Sequence, residues 1–158
     1  MFLRMPSPSE ISPGYLANNA PRLVSYSLFG LFNVGLFLYA ASQYSDAGPL
    51  VMIARGCGAL INFNAAFCLL PMMRLLISRI RQTPIARFLA LEDSIDFHRV
   101  SGHTMFGAAI VHTAVYIVLY STSPDRSLWG NLTGSLAAIT GCVLVIIFLV
   151  LWVFALER

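Results

Sequence analysis

Four long apolar runs divide the chain, and short stretches rich in proline, glycine or charge separate them. The first run, Leu23 to Ser42, is about the 20 residues that a helix needs to cross a bilayer. Ala40-Ala41 resembles a small-residue cleavage site, but the run is longer than the apolar core of a signal peptide. The second runs from about Leu50 to Ile77, with Arg55 near its start, Arg74 near its end, and Pro71 expected to kink it. The third runs from about Phe97 to Tyr120 and the fourth from about Leu132 to Phe154. Before the first run, residues 1–22 carry Pro6, Pro8, Pro13 and Pro21 and read as a flexible, cytoplasmic lead-in. Between the second and third runs, residues 78–97 are charged. Ile85, Phe88, Leu89 and Ile95 recur there at helical spacing, which predicts a short interfacial helix. The pattern predicts an all-α fold: a polytopic membrane bundle with spans at about 23–42, 50–77, 97–120 and 132–154.

Composition supports this reading. Of 158 residues, 58% are hydrophobic and only 11% charged, whereas soluble domains carry about 25% charged residues. The chain has no G-x-G-x-x-G or Walker-type run, so electrons for any redox chemistry would have to come from elsewhere. All ten basic residues are arginine and the net charge is +3. Because they sit between apolar runs, they are read as topology signals and not as a nucleic-acid surface. Arg4, Arg22, Arg74, Arg79, Arg81, Arg87, Arg99 and Arg158 fall on one side of a four-span arrangement, which puts both termini in the cytoplasm. Arg126, with Arg55, falls on the other. Cys57, Cys68 and Cys142 each lie in an apolar run and read as small buried residues.

All three histidines lie in the third run, where ionisable side chains are costly. His98 and His112 are fourteen residues apart, so they lie within about 40° of each other around a helix and about 21 Å apart along it. That places one near each side of the membrane, a layout suited to two stacked haems. Two polar residues hydrogen-bonded within a bundle would account for the spacing as well. His103 is about 140° from His98 and reads as a packing or hydrogen-bonding residue. Arg55 could pair with a haem propionate or an anionic product, or simply snorkel to the interface.

Several runs together resemble the transmembrane domain of the superoxide-generating NADPH oxidases, within the ferric reductase-like group. They are Ala54-Arg55, Ile61-Asn62-Phe63-Asn64, Leu69-Leu70-Pro71, Arg74, Phe97-His98-Arg99, Val111-His112-Thr113 and Ala138-Ile139-Thr140-Gly141. The resemblance covers roughly residues 23–158 and implies the first four helices of a six-helix domain. In that family electrons pass from NADPH to FAD, then through two b-type haems to oxygen in the plasma membrane. By resemblance, His98 takes the inner-haem position, His112 the outer-haem position, and Arg55 a place beside the outer haem and the oxygen site. The resemblance implies that the second ligand of each haem comes from a fifth span, and that FAD and NADPH bind a dehydrogenase domain. Both would belong to a missing C-terminal half or to a companion oxidase subunit. Tyr116 stands where well-studied animal members have a second outer histidine. This leaves a ferric or cupric metalloreductase as an alternative, beside a non-catalytic partner that regulates a full-length oxidase.

Overall fold

The computed structural model describes residues 12–122 and 127–156. Six helices follow in order: α1 Pro13–Ser42, α2 Pro49–Phe67, α3 Arg74–Arg81, α4 Ser94–Ser121, α5 Leu128–Thr133 and α6 Leu136–Leu156. No strand occurs among the described residues. Among the described residues four helical segments are long and apolar enough to cross a membrane: Pro13–Ser42, Pro49–Met72, Leu91–Ser121 and Leu136–Ala155.

The helix ends differ from those expected. α1 starts at Pro13, inside the stretch read as a flexible lead-in. Ser12 caps it, its Oγ accepting from the Tyr15 N–H at 3.2 Å, and Pro13 sits at the first turn, where no backbone donor is needed. With 30 residues, α1 is about 45 Å long, beyond the roughly 30 Å apolar core of a bilayer. The apolar run marked the membrane, and the helix continues past it. Residues 1–11 lie outside the described residues.

The second run is a broken helix, not one kinked helix reaching Ile77. α2 stops at Phe67, and a 3-10 turn over Leu70–Met72 precedes α3. Pro71 lacks the N–H that would continue the ladder. The interfacial helix is therefore α3, earlier than expected, and Ile85 and Phe88 fall in and just after a 3-10 turn at Pro84–Arg87. The fourth run is also interrupted: α5 ends at Thr133 and α6 begins at Leu136. Of the cysteines, Cys57 is buried, Cys68 half-buried and Cys142 exposed on α6, which corrects the reading of all three as buried.

At the turn into α2, Gly48 has φ +91°, a conformation that residues with a Cβ rarely adopt. α2 then lies in the middle of the bundle, packed against α1 on one side and α4 on the other. At this centre Asn64 and Ser101 are fully buried and Asn33 nearly so. The Asn64 side-chain N–H donates to Asn33 Oδ1 at 2.6 Å and to the Leu60 carbonyl at 2.9 Å. Ser101 Oγ donates to Asn64 Oδ1 at 3.1 Å. One amide thus joins three helices. Nearby, a Cβ on Gly56 would lie 2.6 Å from the Phe37 ring, so α1 and α2 approach closely only because position 56 is glycine.

The charged connection is fastened to the bundle. Arg22 Nε is 3.0 Å from Asp93 Oδ2, and its guanidinium is 3.7 Å from Asp96. The buried Ser25 hydroxyl accepts from the Ala90 N–H at 3.0 Å. Arg22, Arg81 and Arg99, each paired with an acidic group of this region, mark one end of the bundle, and Arg55 lies at the other. Arg4, Arg126 and Arg158 lie outside the described residues. Among the described side chains of α6 none is buried, and the helix leans on α4 through Trp152, stacked on Phe106 at 4.1 Å.

The central amide should dominate bundle stability. Asn64→Ala leaves the buried Asn33 Oδ1 without its donor and Ser101 Oγ with only the main-chain carbonyl of position 64, and should cost about 1–3 kcal/mol. An Asn33/Asn64 double-mutant cycle should show a coupling of about 0.6 kcal/mol, typical within membranes. Thermal exposure of the buried Cys57 thiol to a thiol-reactive dye measures both.

Candidate functional site

α4 turns His98 and His112 toward α2. Phe97, Ser101, Ala108 and Ala109 are the buried residues of α4, and the two histidines share their side of the helix. Each imidazole meets a backbone carbonyl of the facing chain: His98 Nδ1 lies 2.9 Å from the Cys68 oxygen, and His112 Nδ1 lies 2.8 Å from the Ala54 oxygen. The two helices run antiparallel, and fourteen residues separate the carbonyls just as fourteen separate the histidines.

Both carbonyls are available for definite reasons. Pro71 diverts the chain after α2, so the Met72 N–H bonds Leu69 O at 3.0 Å instead of Cys68 O. The end of a helix leaves such carbonyls without partners, and His98 occupies this one. Cys68 also returns a contact: its Sγ lies 3.1 Å from His98 Nδ1, and its thiol faces the His98 carbonyl at 3.7 Å. At the other end, Ala54 is fully buried inside α2. Gly58, four residues on, lies beside its carbonyl, and a Cβ on Gly58 would be 3.4 Å from His112 Cε1. A Cβ there would just touch the ring, and a longer side chain would meet it.

These bonds decide the tautomer. A carbonyl only accepts, so Nδ1 of each ring carries the proton, and in the neutral imidazole Nε2 then has the lone pair. Metal-bound histidines are oriented in this way. Among the described residues no three His, Cys, Asp or Glu side chains converge to hold a metal ion. A porphyrin brings its own equatorial nitrogens and needs only an axial one from each histidine. Each ring, held this way, has one nitrogen that could serve a group bringing its other donors with it.

The other expected residues lie as follows. His103 is exposed on α4, its Nδ1 2.6 Å from the Arg99 carbonyl and its ring edge-on to Trp152 at 4.8 Å. Arg55 is exposed, with its guanidinium 4.7 Å from the centre of the Tyr44 ring. It makes no ion pair among the described residues, and it adjoins Ala54, the residue that holds His112. The Tyr116 ring lies 4.9 Å from that of His112, and Tyr120 follows at 5.5 Å. Sequence reasoning missed Gly58, Cys68 and Asn64 as parts of the site. Only the glycine carried a local signal, as one of a pair spaced two apart in an apolar run.

Residues 64–158 match the family of the ferric reductase like transmembrane component. The chain belongs to this family, in its NADPH oxidase group. It is 33% identical to human NADPH oxidase 5 over 111 residues, 70% of this chain and 14% of that protein. It is 27% identical over 98% of its length to a superoxide-generating NADPH oxidase heavy chain of Dictyostelium discoideum, of which it spans 34%. A respiratory burst oxidase homolog of Arabidopsis thaliana, protein H, is 29% identical over 68% of the chain and 13% of its own length. The chain thus spans about a third or less of these oxidases. The matched segment contains both histidines and begins at Asn64, the central amide. The ferric reductase-like fold and the four apolar helices make the chain an integral membrane protein.

The tautomer is directly measurable. In chain labelled with nitrogen-15 at histidine, His98 and His112 should show protonated Nδ1 and bare Nε2. Gly58→Leu should displace the His112 ring and alter its signals alone. Protonated Nε2 at either position would contradict the geometry.

Proposed function

We propose that this chain is part of the membrane domain of an NADPH oxidase-type enzyme that carries electrons across the plasma membrane toward oxygen. The observation that carries this reading is the pairing of both imidazole Nδ1–H groups with carbonyls of α2, which leaves two Nε2 lone pairs on one side of one membrane helix. His98 would hold an inner b-type haem and His112 an outer one. When bound, each haem supplies a one-electron carrier that needs little rearrangement to change state.

The protein's own residues do the positioning. The Cys68 and Ala54 carbonyls hold the rings in one tautomer and one orientation. The antiparallel packing of α2 and α4 sets the spacing between them. His98 lies toward the arginine-rich end, the cytoplasmic side by the positive-inside rule, where electrons from NADPH and FAD on a dehydrogenase domain would enter. Arg55, at the far end and free of ion pairs among the described residues, can hold a haem propionate or an anionic product such as superoxide. Further spans would pack against the exposed α6 and supply the opposing ligands.

Tyr116 favours one second reading. A phenol beside His112 differs from the second histidine expected at an oxygen site, so reduction of ferric or cupric ions outside the cell is the alternative.

The test is a reduced-minus-oxidised absorption spectrum of the chain from haem-supplied cells, with imidazole in the buffer to stand in for the opposing ligands. A low-spin b-type spectrum is expected. His98→Ala and His112→Ala should each remove about half of the haem, and the double variant nearly all. Unchanged haem in the double variant would refute the assignment. In cells, superoxide dismutase should abolish reduction of an external dye, and persistence of that signal would favour metal reduction.

A further inference from the structure

A cavity of about 460 Å³ lies on the side of the bundle formed by α1, α2, α3 and the charged connection. Phe29, Phe32, Phe63 and Phe67 line it from the spans, and Ile77 and Ile80 from α3. Neither histidine is among its lining residues. Its volume falls within the roughly 300–1,000 Å³ of small-molecule sites. Leu28, Phe32 and Leu70, all on its wall, are exposed, so it opens on the surface of the bundle. At this depth that surface faces lipid. An apolar cavity does not hold water, and an opening onto a bilayer admits acyl chains.

Filling by an acyl chain would not by itself select a lipid, because the chain leaves one apolar surrounding for another. Selection has to come from charged groups beside the cavity, and α3 carries arginines on either side of its lining face. The face of α3 that lines the cavity is apolar, and Arg74 and Arg79 stand on its two edges, both exposed. Their neighbours are already paired: Arg81 with Glu92 at 3.2 Å, and Arg22 with Asp93. Arg74 and Arg79 have no ion pair among the described residues. Two uncompensated guanidiniums on the helix that walls an acyl-sized slot, neither of them among its lining residues, complement a phosphodiester headgroup at the membrane interface.

We propose that this cavity is a binding site for one anionic glycerophospholipid, with an acyl chain among the four phenylalanines and the phosphate held by Arg74 and Arg79. The bound lipid would also fasten α3 to the spans on the side where the charged connection leaves them.

The chain is purified in mild detergent, given equimolar phosphatidylglycerol and phosphatidylcholine of identical acyl chains, and read by native mass spectrometry. One retained phospholipid per chain is expected, with phosphatidylglycerol favoured by about fivefold for each arginine engaged. Arg74→Gln with Arg79→Gln should bring the ratio near unity. Both positions are exposed, so this variant should keep the fold. Ile80→Trp, which fills the slot, should cause loss of both lipids. Equal retention of the two lipids by the unmodified chain overturns the proposal, as does a ratio unmoved by the arginine substitutions. Retention that appears only after residues 1–11 are removed also overturns it, and gives the cavity to the chain's own N-terminal segment. The readout involves no haem, so its failure leaves the oxidase reading untouched.

Discussion

The bundle hangs on the buried amide of Asn64. In a bilayer, apolar side chains gain little by leaving lipid for each other, so packing and interhelical hydrogen bonds must set the register. Asn64 bonds Asn33 of α1 and Ser101 of α4 with one side chain. A slide of α2 by one helical turn would leave these polar groups unpaired in hydrocarbon, which is costly. The same register puts Ala54 opposite His112 and Cys68 opposite His98. Helix alignment and imidazole orientation are therefore one constraint met at three depths.

The break after α2 serves the same end. An unbroken helix would use the Cys68 carbonyl in its own ladder. Pro71 ends the ladder early, and the freed carbonyl goes to His98. The chain then turns into α3, whose Leu76, Ile77 and Ile80 face the bundle while Arg74, Leu75 and Arg79 stay exposed. The connection that follows is tied back to α1 by Ser25 and Arg22. The end of the bundle nearest His98 is thus braced by charge pairs and the short helix α3, whereas the end near His112 carries the turn at Ser45–Ala47 and an aromatic series, Tyr116 and Tyr120.

Four spans, their order and the shared side of His98 and His112 were legible because they rest on local periodicity. Hydropathy along the chain records depth in the bilayer, not where a helix ends. Hence α1 ran beyond its apolar run, and the second run, expected to kink at Pro71, breaks there into two helices. The partners of the histidines were illegible for a different reason. They lie 30 and 58 residues away in sequence, and they are main-chain oxygens, which every residue has and no residue type advertises. Asn64 stood in a run that resembles the family, but nothing local tells a buried clamp from a polar residue lining a cavity. Gly58 acquires its meaning only once the His112 ring is placed against it.

A carbonyl is the partner best suited to a histidine at this depth. A carboxylate would orient the ring equally well, but it would bring a charge into a medium where unpaired charge is costly. That charge would also favour protonation of the imidazole, which removes the Nε2 lone pair needed for a metal. A side-chain amide or hydroxyl would avoid the charge but has rotamers of its own to order. The carbonyl oxygens of α2 are neutral, cannot titrate, and are held by the helix itself. The histidines inherit their geometry from the backbone, so their orientation is as firm as the packing of α2 on α4. It follows that both rings can be disturbed together without touching either: Asn33, Asn64 and Ser101, about one helical turn from His98 and three from His112, set the packing on which both depend.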